Sequence, residues 1–170
     1  AINAAGAAFW LARYAAEANP LIQEAAMGPL TQIAQQKGEV ASLVGAGAIT
    51  PMVAQVRDGG KAQQEAAAGA LVHLTASGGG GEAAGVRAGL LPPLVKYLRG
   101  GPPQGQQFAM HVLYNIAICD ETVRDVAATA DAVAACVLTL QRARVTEAST
   151  HAAAALATIA ANADASTSGK

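Results

Sequence analysis

The sequence is poor in most of what would name a chemistry. Of its 170 residues, 14% are charged and 4% aromatic, and the formal net charge is −1 from 11 basic and 12 acidic residues. The charges are scattered. Arg142 and Arg144 come nearest to a basic cluster, and two residues make no stripe that follows a phosphate backbone, so nucleic acid is not an expected partner. No window reaches the run of about 18 strongly apolar residues that a membrane span needs. The apolar stretch 128–140 is too short and contains Asp131, so it reads as a buried helix. The two cysteines, Cys119 and Cys136, both fall in apolar helical patterns, which favours buried free thiols and a reducing intracellular compartment. The chain opens on Ala1 and shows no basic region followed by an apolar core and cleavage site, so it reads as a processed or excised piece of something longer.

Cofactor and catalytic motifs are also missing. The string V-G-A-G-A-I-T at 44–50 has Thr50 where a dinucleotide loop needs its third glycine, and helix rather than strand surrounds it. The glycines at 78–81 are followed by no Lys-Ser or Lys-Thr, so they read as a connector. The three histidines, His73, His111 and His151, form no H-x-x-x-H pair, and neither a metal ligand set nor a catalytic triad is read from their spacing. The expectation is a non-catalytic chain without metal or cofactor.

What is abundant is alanine, at 44 positions, together with 18 glycines. Alanine is the best helix former, so its runs read as helix wherever glycine and proline do not interrupt. Such a core buries little apolar area per residue, so stability must come from extensive contact between neighbouring elements.

A repeat organises the chain. The pattern Q-E-A-A-M-G-P-L-T-Q-I-A at 23–34 recurs as Q-E-A-A-A-G-A-L-V-H-L-T at 64–75, Q-Q-F-A-M-H-V-L-Y-N-I-A at 106–117 and S-T-H-A-A-A-A-L-A-T-I-A at 149–160. Its leucines, Leu30, Leu71, Leu113 and Leu156, are 41, 42 and 43 residues apart, a period that marks a helical solenoid. Within a copy, Ala67, Leu71 and Leu74 share one side of a helix, as do Ala109, Leu113 and Ile116, and each such side needs a neighbouring helix to bury it.

A second landmark precedes each copy, V-G-A-G-A-I-T-P-M-V at 44–53 and V-R-A-G-L-L-P-P-L-V at 86–95. Its glycine permits a sharp bend, with Thr50 as a capping hydroxyl and Pro51 in the following first turn. Gly6 and Asp131 hold the equivalent places in the degenerate outer copies. Each full unit thus reads as a short helix, a glycine bend, a second short helix and a longer third one. The predicted organisation is all-α, with units at about 1–36, 37–77, 78–119 and 120–162 and a disordered polar tail at 163–170. In the second unit the helices are expected at 39–45, 50–57 and 62–76.

With G-A-I-T-P-M-V at 47–53, G-L-L-P-P-L-V at 89–95 and the Q-E-A-A-A-G-A-L pattern, the sequence resembles the armadillo repeat family. That resemblance implies a right-handed superhelix of about four repeats whose third helices line a concave face. Many members bind extended peptides there through an asparagine ladder, whose positions fall here on Gln32, His73, Asn115 and Thr158, and only Asn115 matches. Nuclear import adaptors of the family carry tryptophan one turn earlier. Here Gly28, Gly69, His111 and Ala154 hold that place, so the basic-peptide pocket is not expected.

The expected function is protein–protein interaction, as a scaffold or as a structural subunit of a larger assembly. Gln32, Glu65, His73, His111 and Asn115 are the candidate polar contacts. The small residues at 28, 69 and 154 favour a partner helix or a flat protein surface, since they permit close approach. The alternative reading is a substrate-recognition fragment of a multidomain enzyme, such as an armadillo-repeat ubiquitin ligase. Both ends are expected to expose apolar sides, through Phe9, Trp10, Leu11 and Tyr14 at one end and the helix at 152–161 at the other.

Overall fold

The computed structural model describes residues 4–17, 19–36, 38–76, 78–119, 122–142 and 147–167, all of whose regular elements are α-helices. Arg144 and Lys37 lie outside the described residues, as does the end of the expected tail, 168–170.

The chain begins with α1 (Ala4–Ala15) and α2 (Pro20–Ala34). Asn19 sets the start of α2, its Oδ1 accepting the N–H of Leu21 at 3.0 Å, with Pro20 in the first turn where an absent N–H costs nothing. Then come two complete three-helix units, α3 (Val40–Gly45), α4 (Ile49–Asp58) and α5 (Lys61–Thr75), followed by α6 (Gly81–Arg87), α7 (Leu91–Gly100) and α8 (Pro103–Ile118). The last unit has α9 (Val123–Ala128), α10 (Ala130–Arg142) and α11 (Glu147–Thr167). α11 continues five residues into the stretch that the sequence reads as a tail.

The bends at Gly47 and Gly89 have one construction. Each glycine has a positive φ, +76° and +77°, which a side chain would oppose. At the first, the Gly47 N–H donates to Val44 O and the Ala48 N–H to Leu43 O; at the second, Gly89 donates to Val86 O and Leu90 to Gly85 O. This paired pattern satisfies the last carbonyls of one helix and delivers the chain already helical to the next. Ala48 is accordingly in helical conformation, α4 starts at Ile49, and Thr50 lies inside the helix rather than capping it. The outer units bend differently from expectation. Gly6 lies within α1, and Asp131 sits in the first turn of α10, the turn being made at Thr129, whose N–H donates to Val126 O.

The third helices α2, α5, α8 and α11 pack side by side in sequence, and α4, α7 and α10 form a second row behind them. Leu30, Leu71 and Leu113 are fully enclosed between the rows, as are Ala67, Leu74, Ala109 and Ile116, while Leu156 in the last unit is only partly covered. Burying each such leucine stabilises the fold by about 2 kcal/mol. The recurring glutamine of the repeat also has a structural task. Gln64 Nε2 donates to Val56 O near the end of α4, and the buried Gln55 Nε2 donates to Gln23 Oε1 at 2.9 Å. α7 and α8 meet where the Tyr97 ring covers Gly101 and Gly105, and a Cβ at Gly105 would collide with the Tyr97 Oη.

At the first end Phe9, Trp10 and Tyr14 are each about half exposed, and Leu11 packs against the core. In the last unit the exposed residues of α11 include Ala153, Ala157, Ala160 and Ala161, and α10 exposes Val137 and Leu140. No helix among the described residues is long and apolar enough to cross a membrane.

Candidate functional site

A groove of about 600 Å³ runs across the row of third helices, and all four contribute to it. α2 and its C-cap provide Thr31 and Gln35; α5 provides Glu65, Gly69 and His73; α8 provides Gln107, Phe108 and His111; α11 provides Glu147 and His151. Helices of the other two kinds supply no lining residue. The repeat accounts for this, because equivalent positions on successive third helices are brought into one line.

Three of the five residues expected to contact a partner lie in this groove. Glu65 is half-buried on its wall, His73 is exposed within it, and His111 is half-buried toward its far end. Gln32 is exposed on α2 but does not line the groove. Asn115 is 5% exposed, and its amide nitrogen donates backwards to Val72 O at 3.3 Å and to Thr75 Oγ1 at 3.1 Å. That nitrogen joins α8 to α5 and is not offered to a partner. Thr158, at the same repeat position, donates to Ala154 O in its own helix.

The floor also differs from the sequence reading. Gly69 is not bare, since the Phe108 ring lies over it and a Cβ there would be 3.5 Å from Cε2. Gly28 does face open space. The contact between Gly69 and Phe108 reveals the register of the solenoid. A residue in the glycine column of one third helix meets the residue three places before that column on the next helix. The same offset sets His111 of α8 against His151 of α11, and their rings stack with centroids 4.2 Å apart and planes inclined by 29°. Tyr114 stacks on His151 as well, at 4.9 Å. Glu147 lies one helical turn before His151, and one ligand atom from each of His111, Glu147 and His151 falls within 4.8 Å of the other two. Burial, then the neighbouring His151, holds the His111 pKa below the ordinary histidine value, with Glu147 opposing the shift and His73 adding to it.

Sequence spacing missed Phe108, Glu147 and His151. The signal was present only across copies, when each third helix is read against the next one with the three-residue offset.

The architecture is similar to that of solved designed proteins. A computationally designed armadillo repeat protein for modular peptide recognition matches with a TM-score of 0.82 at 27% identity, over 92% of this chain and 66% of its own. A designed armadillo repeat protein in complex with the peptide (KR)4 matches at 0.77 and 24% identity, over 91% and 64%. Another designed armadillo repeat protein matches at 0.80 and 25% identity, over 91% and 65%. The chain thus spans just under two thirds of the length of these proteins. No family model matches the sequence, and no curated protein does. Consecutive helical units, glycine bends and a groove on the third helices together give this chain the all-α fold of an armadillo-like repeat solenoid.

Proposed function

We propose that the chain is a non-catalytic scaffold that holds a protein partner in the groove along α2, α5, α8 and α11. The observation that carries this reading is the groove itself, to which every unit contributes and in which polar side chains surround one aromatic, Phe108. An aromatic set among polar groups is the usual anchor of a protein interface. The likeness to a protein designed for modular peptide recognition supports a protein-binding role.

The occupant is a helix or a flat protein surface rather than an extended peptide. A ladder that holds an extended backbone needs a row of free amides, and here the Asn115 nitrogen is engaged inside the fold while Thr158 bonds its own helix. Ala62 and Ala66, both exposed at the groove, leave room for a helix to approach closely. Glu65, His73 and His111 are its polar contacts, with Gln32 beside them on α2.

Photo-cross-linking tests this. A photoreactive side chain at position 107 in the groove and another at Arg87, exposed on α6 away from it, are compared in native extract. Capture of one protein from position 107 alone, mapped to a helical segment of that partner, is the expected result. Capture from Arg87 alone would place the binding face elsewhere, and a mapped extended segment would sink the helix reading.

A further inference from the structure

We propose that His111, Glu147 and His151 form a zinc-class divalent metal site that clasps α8 to α11. The argument starts from what the repeat does elsewhere. At the preceding junction the same offset lays Phe108 over Gly69, an apolar contact that needs nothing more. At this junction it brings two imidazoles face to face at 4.2 Å and adds a carboxylate one turn away on the same helix. Packing alone does not call for a carboxylate within reach of both rings.

The geometry suits coordination. Glu147 and His151 are four apart and project from one side of α11, while His111 reaches across from α8. Ligand atoms on a tetrahedral zinc are about 3.3 Å apart, given bonds of roughly 2.0–2.2 Å. The three groups lie within 4.8 Å, so small side-chain rotations complete the approach. Glu147 is exposed, and the two imidazoles are half-buried. Tyr114, stacked on His151, limits how that ring turns.

The donor set identifies the ion. Two imidazoles and one carboxylate match zinc and its neighbours cobalt and nickel, whereas magnesium and calcium require oxygen ligands. All three residues line the groove, so solvent can reach the fourth position of a tetrahedral site there. The site needs no partner to form, and it shares His111, Glu147 and His151 with the groove lining.

The test uses the full metal-free chain, titrated with Zn²⁺ against a chromophoric chelator and with Co²⁺ by visible absorption. One Zn²⁺ per chain is expected, with a Co²⁺ spectrum of the intensity that four- or five-coordinate sites give. Glu147→Gln and His111→Gln should each weaken Zn²⁺ binding by about 100-fold, the upper end of what loss of even a supporting contact does. Glu147 is exposed, so Glu147→Gln leaves the fold intact, and circular dichroism verifies this. Zn²⁺ should also raise the melting temperature of the parent chain and not that of Glu147→Gln. Failure to bind stoichiometric Zn²⁺, or binding that both variants leave unchanged, would overturn the proposal.

Discussion

The α5–α8 and α8–α11 junctions are built with the same offset of the same repeat, yet they hold different chemistry. At the first, Phe108 covers Gly69 and Asn115 ties the two helices together with hydrogen bonds to Val72 and Thr75. At the second, imidazole stacks on imidazole, a carboxylate stands beside them, and Thr158 makes no bond across. The backbone geometry decides which positions meet, and the residues that land there decide whether the meeting is structural or chemical. The first junction is cross-linked by hydrogen bonds, and the second carries two imidazoles and a carboxylate.

The largest expected effect separates the two through the repeat leucines. Leu71→Ala removes a fully buried side chain and should destabilise the chain by about 3–4 kcal/mol. Leu156→Ala, at a partly covered position, should cost about 1–2 kcal/mol. Urea denaturation compares them, and equal losses would mean that the last unit packs as tightly as the inner ones. Next in size is Asn115→Ala, which leaves buried groups without their partner and should cost about 2 kcal/mol. Thr158→Ala breaks only a bond within its own helix, so its effect should stay within about 0.5 kcal/mol. If both substitutions were neutral, the hydrogen bonds across the first junction would not be what distinguishes it.

A smaller effect has the opposite sign. Glycine inside a helix is less favourable than alanine by about 1 kcal/mol. At Gly69 an added Cβ would meet the Phe108 ring at an ordinary contact distance of 3.5 Å. Gly69→Ala should therefore stabilise the chain by up to about 1 kcal/mol, measured by the same urea series. A loss of stability instead would mean that Phe108 has no freedom to adjust and that the junction is packed to its limit.

How much of this was legible in the sequence follows from the same geometry. The inner units read almost residue by residue, because Gly47 and Gly89 mark bends that only a positive φ makes, and the helices at 40–45, 49–58 and 61–75 fall within two residues of the expected bounds. The outer units lack those glycines, and Gly6 and Asp131, placed by alignment, lie inside helices. Thr50 did not cap, because the bend hands over a chain that is already helical. For the site, position along one helix revealed that His73 and His111 face the groove. It did not reveal that Asn115 turns back into the preceding helix, or that His111 meets His151, since both depend on the offset between helices, a quantity that a single repeat does not contain.

The two cysteines offer the finest comparison, because they flank the second junction with different degrees of cover. Cys119 caps the end of α8 and is half-buried, whereas Cys136 lies fully enclosed in α10, where burial pushes its thiol up to about 11. The thiolate is the reactive species, so near pH 8 only about one Cys136 in a thousand carries it, and no reagent reaches that one while α10 stays packed. A disulfide reagent such as DTNB should therefore modify Cys119 promptly and Cys136 slowly, at the rate with which the last unit opens. The repeat leucine of the last unit, Leu156, is only partly covered, whereas Leu71 and Leu113 are fully enclosed, so the last unit is held less firmly than the inner ones. Low urea, below the main unfolding transition, should accordingly speed Cys136 modification, because local opening needs less free energy than global unfolding. If Cys136 reacted only in step with global unfolding, the last unit would be as firmly held as the first junction. The partial cover of Leu156 would then belong to that side chain and not to the unit.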